Sequence, residues 1–167
     1  MQPDKQETRS LARGGITGSI AAVTSALALM LRSKSEAPTA LSAQNAVSHW
    51  VWGDKAKHQH RTSLRYTLVG YGIHHASAVF WGVIYEHYFA SKPLPPGREV
   101  LRATAFTALA NFVDYRLTPY RLKPGYEHHL SKKSLALVYG AFALGLAAGH
   151  LLQRPRSGVR GTEPSKS

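Results

Sequence analysis

The placement of positive charge constrains this chain more than any other feature. Four segments, 16–31, 67–89, 101–117 and 134–152, are made mostly of apolar and small residues. Of the 21 Lys and Arg residues, only Arg102 and Arg116 fall within them, at the entry and exit of the third. A soluble bundle spreads its basic residues along the outward face of each helix. Here they collect in the connections, so the segments read as membrane spans, each needing roughly 17–25 residues to cross the hydrocarbon layer. The mean hydropathy of −0.22 looks soluble only because it averages these stretches with polar ends and basic connections.

Small residues point the same way. Gly14, Gly18, Ala22 and Ala26 recur every fourth position in the first segment, as do Ala141, Gly145 and Gly149 in the last. Such stripes let helix backbones approach closely in lipid, where packing holds helices together. In water each glycine costs about 1 kcal/mol of helix stability relative to alanine. Arg9, Arg13 and the "SALA" stretch also fit a signal peptide, but the stripe and the later spans favour an uncleaved anchor. The reading is therefore all-α: four transmembrane helices in a bundle, residues 14–152, between a flexible tail at 1–13 and a disordered basic tail at 153–167.

The first connection, 32–66, is too long for a turn. Ala43, Ala46, Val47, Trp50 and Val51 recur at helical spacing between a capping Ser42 and a terminating Gly53. This predicts a short amphipathic helix at the membrane surface, with Trp50 and Trp52 at headgroup depth and Trp81 and Tyr85 as further interfacial residues. The alternative is a helix packed on the bundle's own loops. The second connection, "SKPLPPGRE", has three prolines and a glycine and reads as a compact non-helical turn. In the third, Pro124-Gly125 favours a tight turn, and the basic residues around it suit anchoring to anionic lipids. Nucleic acid is not expected as a partner, because no recognition fold presents the formal charge of +12.

"NAVSHWVWGDKA", "YTLVGYGIHHASAVFWGVIYE" and "VDYRLTPYRLKPGYEHHLS" resemble a group of uncharacterised bacterial integral membrane proteins of four helices, and the arrangement of spans is distantly similar to YagU-like inner-membrane proteins. The resemblance implies a bacterial inner membrane and no chemistry. Basic residues divide almost evenly, ten on the side of the ends and the remaining eleven opposite. The basic tails suggest cytoplasmic termini.

Polar residues inside the spans are the functional candidates. Thr104, Thr107, Asn111, Asp114 and Thr118 lie on one helical face of the third span, which is expected to look into the bundle. His74 matches Asn111 and Asp114 in depth if the second and third spans run antiparallel. His74, His75, Asn111 and Asp114 are therefore expected to form a polar junction, with one histidine on this face and the other against a different helix. Such a junction fixes helix register or, if Asp114 and His74 exchange protons, handles ions. Haem ligation by His74 or His75 with His150 is set aside, since His150 lies near a span end. A second cluster in the connections, His58, His60, His128 and His129 with Asp54 and Glu127, has ligand types that suit zinc but a spacing that matches no metal motif. No cofactor is expected, and no nucleophile–base spacing points to an enzyme. The expected function is that of a structural or interaction protein of the membrane, binding lipid, a second copy or another membrane protein. A small transporter is the alternative.

Overall fold

The computed structural model describes residues 5–90 and 92–154. All the secondary structure among these residues is helical. Four long elements carry the fold: α1 (Lys5–Glu36), α4 (Val69–Ile84), α5 (Pro96–Phe112) and α6 (Lys132–Leu152). Two short helices, α2 (Ser42–Val47) and α3 (His49–Trp52), lie in the first connection. Residues 64–68 lead into α4 and 85–89 continue it, and 113–117 continue α5, as widened turns. In the last two, backbone bonds reach five residues back, from Ala90 N–H to the Tyr85 carbonyl (2.8 Å) and from Thr118 N–H to the Val113 carbonyl (2.9 Å). The continuous rods therefore run over 64–89 and 96–117.

Helix α1 is the centre. It packs on α4 along one side and on α6 along another, and α5 packs on α6, giving the lateral order α4–α1–α6–α5. The small-residue stripes lie at these crossings. A Cβ added to Gly18 would sit 2.5 Å from the Val79 Cα, and one added to Gly82 would sit 2.6 Å from the Gly18 Cα. On the other side, Gly145 and Gly149 face the backbones of Ala21 and Thr17. There the Thr24 hydroxyl donates across to the Ala141 carbonyl (3.1 Å), an interhelical bond of the kind that fixes register in lipid.

Two boundaries differ from the sequence expectation. Helix α1 starts at Lys5, so residues 5–13 extend the helix instead of forming a tail. Residues 1–4, and 155–167 of the expected C-terminal tail, lie outside the described residues. The proline-rich connection is not wholly a turn: α5 begins at Pro96, since the missing N–H of a proline costs nothing in the first helical turn.

The short helix is not interfacial. All six residues of α2 are buried, Gln44 and Asn45 included, under a cap formed by residues 37–66 and 118–131. Gly70 makes this possible, because a Cβ there would lie 2.3 Å from the Gln44 carbonyl oxygen. Asn45 ties the cap together: its amide donates to the carbonyls of Gln59 and Arg61, and its oxygen accepts from the Thr67 hydroxyl. Gly125 turns at φ +88°, a left-handed backbone suited to glycine, and a Cβ there would press on His49 at 3.0 Å and the Ala46 carbonyl at 3.1 Å. At the cap's edge, Glu36 clamps the end of α1 to the start of α6. Bonds from the Ser134 hydroxyl, the Ser131 N–H and Arg32 hold its carboxyl down at about 2.

Candidate functional site

Helices α4 and α5 are not packed along their length; α5 meets the α4 rod mainly at residues 85–89. Between them lies a half-enclosed cavity of about 370 Å³. Its walls come from α4 (Ile73, His74 and Trp81, with the exposed Phe80 at the outer rim), the end of the α5 rod (Ala110, Val113, Asp114) and α6 (Val138, Tyr139, Phe142), with Trp50, Leu122 and Tyr126 closing it at the cap. Away from the cap, Trp81 stacks edge-on against Phe106. The lining is mainly apolar and aromatic, and it contains no Lys or Arg.

His74 is buried at one wall, and its bonds define its state. Nε2 lies 3.2 Å from the Ala22 carbonyl, which only accepts, so this nitrogen carries the proton. Ser25 Oγ, 3.1 Å away, gives its own proton to the Ala21 carbonyl and therefore accepts from Nε2 as well. Nδ1 lies 2.8 Å from the Tyr126 hydroxyl, which can donate to it. Both ring nitrogens are used, and the imidazole ties α1, α4 and the cap together. His75 also turns to α1, bonding Ser19 Oγ at 3.1 Å and the Tyr71 hydroxyl at 3.3 Å.

The expected junction is therefore divided. Neither histidine bonds to the third span, because α1, not α5, is the neighbour of α4. Asn111 is half-buried, does not line the cavity and has no side-chain hydrogen bond among the described residues. The expected polar face of α5 is also only partly internal: Thr104 is exposed, while Asp114 and Thr118 line the cavity. One carboxylate oxygen of Asp114 accepts from the Tyr139 hydroxyl at 2.8 Å. Direct proton exchange between His74 and Asp114 has no bond to run through.

At the opposite end sits a buried charge cluster that sequence reasoning missed. It takes one residue from each helical rod: Arg13, Glu86, Glu99 and His150. Glu86 accepts from Arg13 Nε (3.1 Å) and the Thr17 hydroxyl (2.7 Å), and His150 Nδ1 is 3.0 Å away. The other ring nitrogen of His150 faces Glu99 at 3.8 Å. Glu99 is fully buried and accepts from Arg102, Arg154 (2.9 Å) and the Tyr85 hydroxyl. Arg102 is thus taken by Glu99, and His87 stacks on Tyr88. The available signal for Glu99 was the Pro-Gly-Arg-Glu order, a proline opening a helix with an acid in its first turn.

The aromatic residues expected at the interface divide as well. Tyr85 is fully buried, and Trp81 lines the cavity. Trp50 lines it too and donates to the Lys123 carbonyl (2.8 Å), joining the two halves of the cap. Trp52 lies further out, with Arg65 stacked 4.4 Å above its ring.

Of the loop histidines, His60 and His129 meet edge-on with ring centroids 5.7 Å apart, but the four do not close on one point. His58 Nδ1 meets the Asp54 carbonyl (3.2 Å), His60 bonds Ser42 Oγ (2.9 Å), and His129 Nε2 meets the Lys57 carbonyl (2.9 Å). His128 is exposed. Asp54 pairs with Lys57 at 2.6 Å, which holds its carboxyl below the usual range. Burial pushes His129 down; the more open His128 is lowered by the part of its ring that is covered and by the nearby Lys57 ammonium. Among the described residues no group of three or more His, Asp or Glu side chains is placed to hold a metal ion.

No protein-family model matches the chain, and neither a curated protein nor a solved structure is detectably similar to it.

Proposed function

We propose that the chain is a four-span protein of the bacterial inner membrane, of the group that YagU-like proteins resemble, and that it works as a non-enzymatic interaction protein holding a small apolar molecule between α4 and α5. The observation that carries the membrane reading is an inverted distribution of side chains. Val23, Leu27 and Leu31 on α1, Phe80 on α4, Leu109 and Phe112 on α5, and Leu137 and Leu144 on α6 all face outwards. The buried set includes Thr17, Ser25, His74, Glu86, Glu99, Ser134 and His150. In water an apolar exterior of this extent is a liability. In lipid it is the solvent-matched surface, and the polar groups are the ones that must turn inwards.

Length agrees. α1 and α6 are long and apolar enough to cross a membrane. The rods over 64–89 and 96–117 are about 39 Å and about 33 Å long at ~1.5 Å per residue, against a hydrocarbon core of about 30 Å. Arg13 bonds to the backbone of Gln153, so the ends of α1 and α6 share one side, which we assign to the cytoplasm. The cap lies on the other.

The cavity supports the interaction role. Its volume is at the small end of the range of about 300–1,000 Å³ typical of ligand sites, and it opens where two helices leave a gap. Two of the three tryptophans, Trp50 and Trp81, line it. Titration of the protein in phosphatidylcholine nanodiscs with neopentylbenzene, an uncharged apolar probe, is expected to change their fluorescence saturably. Ser77→Phe fills the same space and is expected to abolish the saturable phase while leaving helicity unchanged. A response that never saturates and is equal in both proteins is simple partitioning into lipid, and would end the binding reading.

A further inference from the structure

The carboxylates of this protein are treated unequally. Glu36, Asp54, Glu86 and Glu99 each bond an arginine or a lysine. Asp114, half-buried in the cavity wall, has no cationic partner among the described residues, although the chain carries a formal charge of +12. Its polar neighbours are uncharged: the Tyr139 hydroxyl donates to one oxygen, and the Trp81 ring N–H also acts on the carboxylate. His74, across the cavity, has both ring nitrogens committed to Ala22, Ser25 and Tyr126 and makes no bond to Asp114.

The rest of the wall supplies what a carboxylate alone does not. Trp50, Phe80, Trp81, Tyr126, Tyr139 and Phe142 surround the space, and aromatic faces attract cations that are poorly hydrated. A sodium or magnesium ion would need several oxygen ligands to replace its water, and the Ser25, Thr118, Tyr126 and Tyr139 hydroxyls of this wall are already engaged within the protein. An organic cation keeps no such shell, and its apolar substituents match the rest of the lining. We propose that the cavity binds an organic monocation, a tertiary or quaternary ammonium carrying an aromatic or branched apolar group, with Asp114 as its counter-charge. This rests on the reading of the cavity as a ligand site and adds the charge of the ligand.

The test compares probes of one shape and different charge in nanodiscs of zwitterionic phosphatidylcholine, with affinities referred to the probe concentration in the lipid of empty discs. Benzyltrimethylammonium and neopentylbenzene differ by a nitrogen cation in place of a carbon, and benzenesulfonate serves as the anion. The wild-type protein is expected to bind the cation at least ten-fold more tightly than the neutral probe, with no saturable binding of the anion. Asp114→Asn is expected to bring the cation down to the level of neopentylbenzene, whose own affinity stays unchanged. Equal affinity for the cation and the neutral probe in the wild-type protein would overturn the proposal while leaving an apolar ligand site in place. Saturable binding of neither would remove the site itself. The wild-type comparison decides the matter even if Asp114→Asn does not fold.

Discussion

Gly82→Val is expected to separate α1 from α4 and leave no well-packed bundle. The added Cβ would fall 2.6 Å from the Gly18 Cα and N and from the Gly14 carbonyl oxygen, all backbone atoms that no rotamer change can move. Overpacking costs typically about 1–3 kcal/mol and sometimes more; with rigid backbone on the far side, the upper end, about 3 kcal/mol, applies. Gly72 on the same helix is the control, since a Cβ there meets nothing within 4 Å. Denaturation by SDS from a mild detergent should show a large fall in midpoint for Gly82→Val and little change for Gly72→Val. Equal effects would mean that glycine's helix propensity, not the close crossing, matters at these positions.

Arg13→Leu is expected to have a comparable effect at the terminal end. It leaves the Glu86 carboxylate, whose side chain is 2% exposed, with the Thr17 hydroxyl and His150 but without its arginine. Breaking a buried pair by removing one partner costs about 3–5 kcal/mol, whereas replacing both partners by apolar groups is often close to neutral. Adding Glu86→Leu to Arg13→Leu should therefore restore most of the loss, a coupling that a double-mutant cycle measures directly. Additive losses would show that the two side chains stabilise the bundle separately.

The sequence carried the helices and the crossings better than the neighbours. Charge segregation located four apolar rods, and the spacing of Gly14, Gly18, Gly145 and Gly149 located the surfaces where helices meet. Periodicity describes the face of one helix, however, and is silent about which helix lies opposite. His74 does match Asp114 in depth closely enough to share a cavity with it, yet its bonds go to α1, which lies between α4 and α6. The short helix was misplaced for a related reason. Hydrophobic spacing registers Ala43, Ala46 and Val47, but Gln44, Asn45 and Ser48 are buried too. For Asn45 and Ser48 the bonds to nearby backbone and side chains that permit this leave no sequence pattern.

The charged clusters show the same limit in both directions. The prolines ahead of Glu99 read as a break, although a proline is as compatible with the first turn of a helix as with a loop. The loop histidines read as a group because they are close in the chain and carry ligand atoms. In the fold one ring nitrogen each of His58, His60 and His129 goes to the Asp54 carbonyl, Ser42 and the Lys57 carbonyl.

The central claim is that the outward Leu, Val and Phe side chains face lipid and the cap faces water on one side only. The chain has no cysteine, so single cysteines can be placed at will. In sealed vesicles of both orientations, a membrane-impermeant maleimide is expected to leave Leu27→Cys, Phe80→Cys, Leu109→Cys and Leu144→Cys unlabelled. Lys55→Cys and Arg121→Cys in the cap should label together from one side, and Arg98→Cys from the other. Labelling of the four apolar positions from water, or of Lys55→Cys and Arg98→Cys from the same side, would contradict the four-span account.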